Sequence, residues 1–279
     1  MKLNPYLAVI IAATLGATGG VFAKLLNLPS TSITFFRVIV PTLILIGYFS
    51  FKKINPFHGN YKLMFLSSGL NAIRMFLYFV AYLYTSIGNA VILLFTWPIF
   101  ATIFGIIFLK EKVSLRTACL IGLAFVGIIL MYINKEFSFG DKDFIGMAAM
   151  LISAILYSLT AIIFKKEIQN YSKTETIFYQ NLIGAIVFLP FIFINPLPSL
   201  NQTMMASFYG FLVGIGAFTL FFFALKKLKM SHYSLFGYWE VIAALIFSFI
   251  FFNEVITWNV LFGGSLIIIS GLLLRKDKK

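Results

Sequence analysis

Charge is scarce in this chain. Of 279 residues only 11% are charged, and nine are acidic; an ordinary globular chain carries roughly 25% charged residues. Hydrophobic residues make up 61%, more than any water-bounded core of this length can hide, so a soluble enzyme is excluded. Cysteine is nearly absent too. A lone Cys119 cannot pair within the chain, which excludes a disulfide scaffold. The two histidines, His58 and His232, lie 174 positions apart with no carboxylate or thiol at ligand spacing. No metal, cofactor or catalytic residue is therefore expected. No GxxxxGK[ST] loop is present to cradle nucleotide phosphates, which removes ATP as a driving force.

What the chain has in quantity is long apolar runs. A membrane helix needs roughly 20 mostly apolar residues. Ten such stretches can be drawn, at 5–24, 31–51, 62–84, 88–109, 113–133, 143–164, 173–195, 203–226, 232–252 and 256–274. They are continuously apolar rather than alternating, so membrane strands are not expected. Asn27-Leu28-Pro29, Asn55-Pro56, Ser138-Phe139-Gly140 and Asn195-Pro196 supply turns between them. The connections are too short for a soluble domain. The first span has some features of a cleaved leader, namely Lys2 and the small residues around Ala17–Gly20. Its counterpart inside the chain, described next, argues that it is retained.

A net charge of +13 would suggest nucleic acid in a soluble protein. Sorted by position it reports orientation instead. With an internal N-terminus, seventeen basic residues fall on one side of the membrane, and Lys24, Lys135 and Lys142 on the other. Arg37 and Arg74 lie inside spans. This bias predicts both termini on the cytoplasmic side, with membrane lipids and not nucleic acid as the large partner.

The sequence also repeats. Shifted by 143 positions, Ala101, Ile103, Phe104, Ile107, Phe108 and Glu111 fall on Ala244, Ile246, Phe247, Ile250, Phe251 and Glu254. The same shift puts Phe36 on Tyr179 and Ala81 on Ala224. Each unit holds five spans, an odd number, so the second must be inverted. The expected fold is an all-α polytopic membrane protein. It has ten transmembrane helices in two inverted five-helix repeats, 1–134 and 135–279, with a site between them.

Several ordered motifs follow this repeat. They are Phe36-Arg37, Ala81-x-x-Tyr84-Thr85-Ser86, and the run from Trp97-Pro98 to Leu109-Lys110-Glu111. The second copy of that run goes from Trp239-Glu240-Val241 to Asn253-Glu254, and Gly122, Gly127, Gly263, Gly264 and Gly271 close the units. Together they resemble the drug/metabolite transporter superfamily, in its ten-helix EamA-type branch. The resemblance implies movement of small metabolites across an inner membrane, often outward. Val241, where the family often has proline, and Arg74 depart from the general pattern.

Glu240 is the most informative residue. A charge at that depth costs roughly 2.5–3.5 kcal/mol on insertion scales, so it should face a cavity or a partner. It suits recognition of a substrate amine, proton coupling, or a structural ion pair. Asn71, Arg74, Tyr78 and Tyr82 share one helix face by their i, i+3, i+4 spacing. Arg74 suits a substrate carboxylate or phosphate, or neutralisation of Glu240. Trp97, Tyr78, Tyr157, Tyr179, Tyr238 and Trp239 are candidate walls of an aromatic cavity. Arg37, near the end of its span, reads as a snorkelling structural residue. Glu111 and Glu254 read as helix caps or partners of basic loop residues, and Pro98 should kink the fourth span.

The function these features suggest is secondary active transport of a small metabolite such as an amino acid or organic amine. Alternating access, an export direction, protons as a coupling partner and a monomer or weak dimer complete the expectation. A choline-like quaternary amine or a nucleoside is the alternative substrate. A passive channel or an intramembrane lipid-modifying enzyme is the alternative class.

Overall fold

The computed structural model describes residues 3–133, 139–253 and 257–275. The boundary between the repeats at 134/135, Glu254, Lys2, Lys135, Lys276, Lys278 and Lys279 lie outside the described residues. Among the described residues there is no strand. The first five crossings are α1 (Pro5–Leu26), α2 (Ser30–Lys52), α3 (Tyr61–Tyr84), the broken pair α4 (Ile87–Leu94) and α5 (Trp97–Leu109), and α6 (Leu115–Tyr132). The next three are α7 (Asp141–Glu167), α8 (Lys173–Ile194), and an eighth crossing made of α9 (Leu200–Phe211), a π-helical turn (Leu212–Ala217) and α10 (Phe218–Lys227). The last two are the broken pair α11 (Met230–Gly237) and α12 (Trp239–Phe252), then α13 (Trp258–Arg275). Among the described residues, nine crossings are at least 18 residues long and strongly apolar, and the tenth, Trp258–Leu274, is a shorter apolar helix. The sequence-predicted spans agree with these to within a few residues at each end.

Lipid cannot satisfy the free N–H groups at a helix start, so polar caps mark the ends. Ser86, Ser114, Ser172 and Ser199 each accept a backbone N–H from the third residue on. Glu175 and Gln202 return the favour to Ser172 and Ser199, completing capping boxes.

The two halves repeat in backbone detail. Helix α5 ends at Lys110 with φ +54°, and α12 ends at Asn253 with φ +52°, 143 positions later. The fourth crossing breaks at Phe95-Thr96 and the ninth at Tyr238. Pro98 does not kink a continuous helix. It sits in the first turn of α5, where its missing N–H costs nothing. The matching break at Tyr238 forms without a proline.

Packing follows the same two-fold relation. Three pairs of crossings that the relation exchanges meet: α2 with α8, α5 with α11, and α6 with α13. The contact of α3 with α7 recurs as α10 with α1, and that of α3 with α8 as α9 with α2. Where α6 crosses α13, a Cβ at Gly263 would lie 2.3 Å from the Gly127 carbonyl oxygen. Only glycine allows that approach. Beside the π turn, a Cβ at Gly214 would lie 2.6 Å from the Pro41 ring of α2.

The two faces are tied differently. On the charge-rich face, Glu111 accepts the Met230 N–H at 2.7 Å and lies 3.5 Å from Lys165 Nζ. Lys165 also donates to the carbonyls of Leu225 and Leu228. Glu111 thus caps α11, across the halves, rather than the helix that follows it. His58 bonds Glu175 at 2.8 Å, and Tyr6 bonds His232 at 2.8 Å. On the charge-poor face, Thr85 Oγ1 donates to the Asp143 carboxylate at 3.1 Å, beside ties between neutral groups. Asn195 Nδ2 donates to Thr31 and Ser32 hydroxyls at 2.9 Å, and Gln202 Nε2 to the Leu26 carbonyl at 2.9 Å.

Candidate functional site

A cavity of about 470 Å³ lies between the halves. Five pairs of its lining residues are separated by 143 positions: Arg74 and Ala217, Met75 and Phe218, Tyr78 and Phe221, Leu94 and Gly237, Trp97 and Glu240. The cavity therefore straddles the pseudo-two-fold axis.

Glu240 enters from the first turn of α12, just past the break. Glycines make room for the polar and aromatic groups. A Cβ at Gly16 would lie 3.1 Å from Glu240 Oε1, one at Gly19 2.9 Å from the Tyr209 hydroxyl, and one at Gly237 2.6 Å from the Trp97 ring. Trp97 packs against Tyr157 at 4.9 Å and Tyr233 at 6.4 Å between ring centroids.

Arg74 is held in place by neutral groups. Its Nε donates to Asn71 Oδ1 at 3.1 Å, and its guanidinium lies 4.5 Å from the Tyr157 ring centroid. Asn71 is itself fixed, donating from Nδ2 to the Gln180 carbonyl at 2.8 Å. Arg37 lines the same cavity, with Nη2 3.4 Å from Met75 Sδ and the guanidinium 5.7 Å from the Phe218 ring centroid. Among the described residues, no carboxylate lies within 4 Å of either arginine, so Arg74 does not neutralise Glu240 by contact.

Of the sequence candidates, Glu240, Arg74, Tyr78, Trp97 and Tyr157 line the cavity. Four do not. Asn71 is buried behind Arg74. Tyr179 is fully buried near the charge-rich face, where its hydroxyl donates to the Pro56 carbonyl at 2.9 Å and its ring packs on Phe57 and Phe65. Tyr238 donates to the Phe95 carbonyl at 3.1 Å, joining the two broken crossings. Trp239 donates to Thr14 Oγ1 at 3.0 Å, tying α12 to α1. Neighbouring residues in a helix are turned by about 100°, so of positions 238, 239 and 240 only the last faces inward.

Sequence reasoning, which read Arg37 as a snorkelling structural residue, did not place it on the cavity wall that it lines. It also passed over Tyr132, Tyr209 and Tyr233 as lining residues. Tyr233 carried a usable signal. With Gly237 and Glu240 it forms an i, i+4, i+7 stripe on one helix face.

Several known proteins share this architecture. A solved crystal structure superposes with a TM-score of 0.83 over 99% of both chains at 15% identity, which establishes the fold. Solute carrier family 35 member G1 of Mus musculus is 27% identical over 94% of this chain and 75% of its own length. An uncharacterized transporter of Archaeoglobus fulgidus is 23% identical over 100% of this chain and 99% of its own. The pseudopaline exporter CntI of Pseudomonas aeruginosa is 22% identical over 100% and 98%. The EamA-like transporter family matches residues 3–133 and 144–275, each half separately. The protein is thus a multi-pass membrane transporter of the drug/metabolite transporter superfamily, and the chain belongs to the EamA-like transporter family.

Proposed function

We propose that this transporter exports small amphoteric metabolites, amino acids or organic amines with a carboxylate, across the cytoplasmic membrane by alternating access. One observation carries the reading. A cavity on the pseudo-two-fold axis holds an acid from one half and a base from the other without pairing them. Glu240 receives the substrate ammonium, and the unused fork of Arg74 receives its carboxylate. The faces of Trp97 and Tyr157 bound the apolar part.

The lining extends to Ser30, Tyr82 and Tyr132, at helix ends beside the charge-poor face. The opposite ends are spanned by the Glu111–Lys165 and Tyr6–His232 ties. With the basic face in the cytoplasm, this arrangement corresponds to a carrier open outward and shut inward. A cavity shut on one face favours a carrier over a channel. The exporter among the relatives supports the direction. Glu240 is also the acid in the cavity suited to carry a coupling proton.

Glu240→Gln keeps the shape and removes the charge. In proteoliposomes it should cut uptake of amino acids and amines at least about tenfold, the worth of one charged hydrogen bond. Its melting temperature and yield should match the parent protein. Full activity in this variant overturns the proposal.

A further inference from the structure

The cavity charges do not balance. Among the described residues, two guanidinium groups and a single carboxylate line the cavity. A short chain of contacts joins the two cations along one wall: Arg37 Nη2 to Met75 Sδ at 3.4 Å, Met75 Sδ to Asn71 Nδ2 at 3.6 Å, and Asn71 Oδ1 to Arg74 Nε at 3.1 Å. These bonds use one N–H of each guanidinium, and each carries five. The acceptor for Arg37 is a thioether, a weak one. Phe218 and Tyr157 cover the two planar groups, leaving N–H edges for planar acids.

The repeat offers no compensation. The positions 143 away from Arg37, Arg74 and Glu240 are Gln180, Ala217 and Trp97, all uncharged. Two like charges in one apolar cavity repel, and within a bilayer such charges persist where a counter-charge meets them. Among the described residues, no protein acid lies within 4 Å of either. The missing counter-charge then belongs to the cargo.

We infer that the site takes a substrate with two acidic groups and one ammonium, an amino dicarboxylate in its simplest form. Arg37 and Arg74 each hold one acid, and Glu240 holds the ammonium. This rests on the transport reading above, and adds a second acid subsite with Arg37 as its specificity determinant.

The test uses two ligands of equal chain length, 2-aminoadipate and norleucine, which differ by a terminal carboxylate in place of a methyl. The purified protein is assayed by thermal shift in detergent and by competition in proteoliposome counterflow. 2-Aminoadipate should raise the melting temperature more and compete about tenfold better. R37Q should remove that preference, so that the two ligands shift the melting temperature and compete equally. R37K keeps the charge but loses the fork, and should retain only part of the preference. It also carries the test should R37Q not fold. Equal responses to the two ligands, no response to either, or an undiminished preference in the Arg37 variants overturns the second acid subsite. Norleucine transport that persists in that case, and is lost in Glu240→Gln, leaves the broader transport reading standing.

Discussion

The two halves of this protein share a backbone and divide the charges. The first half supplies Arg37 and Arg74 to the cavity, and the second supplies Glu240. Breaks, left-handed caps and helix contacts recur across the halves, yet each of those charged residues has an uncharged mate. The difference separates two tasks. Equivalent backbones let either face open by the same movement. Unlike side chains let one asymmetric molecule be recognised on the axis between them.

The largest test of this division concerns Leu94 and Gly237, which occupy equivalent positions. Gly237→Val would press on the Trp97 ring, and overpacking of this kind costs about 1–3 kcal/mol. A marked drop in melting temperature with loss of transport is expected. Leu94→Val, which removes one methylene, should cost at most about 1 kcal/mol. Equal effects would break the comparison. The next effect is at the charge-rich face, where Glu111 joins the halves through Lys165 and the Met230 N–H. Glu111→Gln should weaken that closure by about 1–3 kcal/mol. In a Cys119→Ser background, a cysteine replacing buried Ser234 should then react faster with maleimide. An unchanged rate would show that Glu111 does not hold that face shut. The smallest effect is Gly16→Ala, whose Cβ would nudge the Glu240 carboxylate from 3.1 Å. Substrate affinity should fall several-fold with stability unchanged, and an unaltered affinity would mean the carboxylate has room to spare.

Most of the fold was legible because the bilayer imposes it. Twenty apolar residues between polar caps permit little but a spanning helix, and the inverted repeat follows from an odd count. The break at Tyr238 was not legible, since no proline marks it and only the equivalent break at Phe95-Thr96 explains it. In the site, Glu240 and Arg74 stood out because charge is costly at their depth. Tyr179, Tyr238 and Trp239 misled because an aromatic beside a polar residue satisfies its own hydroxyl or indole as readily as it lines a cavity. Arg37 was read by its distance to a helix end, counted along one dimension. The lining reaches Ser30 at the start of that helix, so a residue near the helix end is still part of the cavity wall.

The meeting of Pro41 with the π turn bears on stiffness. Pro41 has no N–H to donate to the Arg37 carbonyl, and the turn at Leu212–Ala217 departs from the regular bonding of α9 and α10. Gly214 sets these two irregular places in contact. A pair of rods weakened at one level yields there first, as a single joint. Arg37 sits one turn from that joint, so a bend that shifts the helices also moves the guanidinium, and grip on the cargo and movement of the wall become one motion.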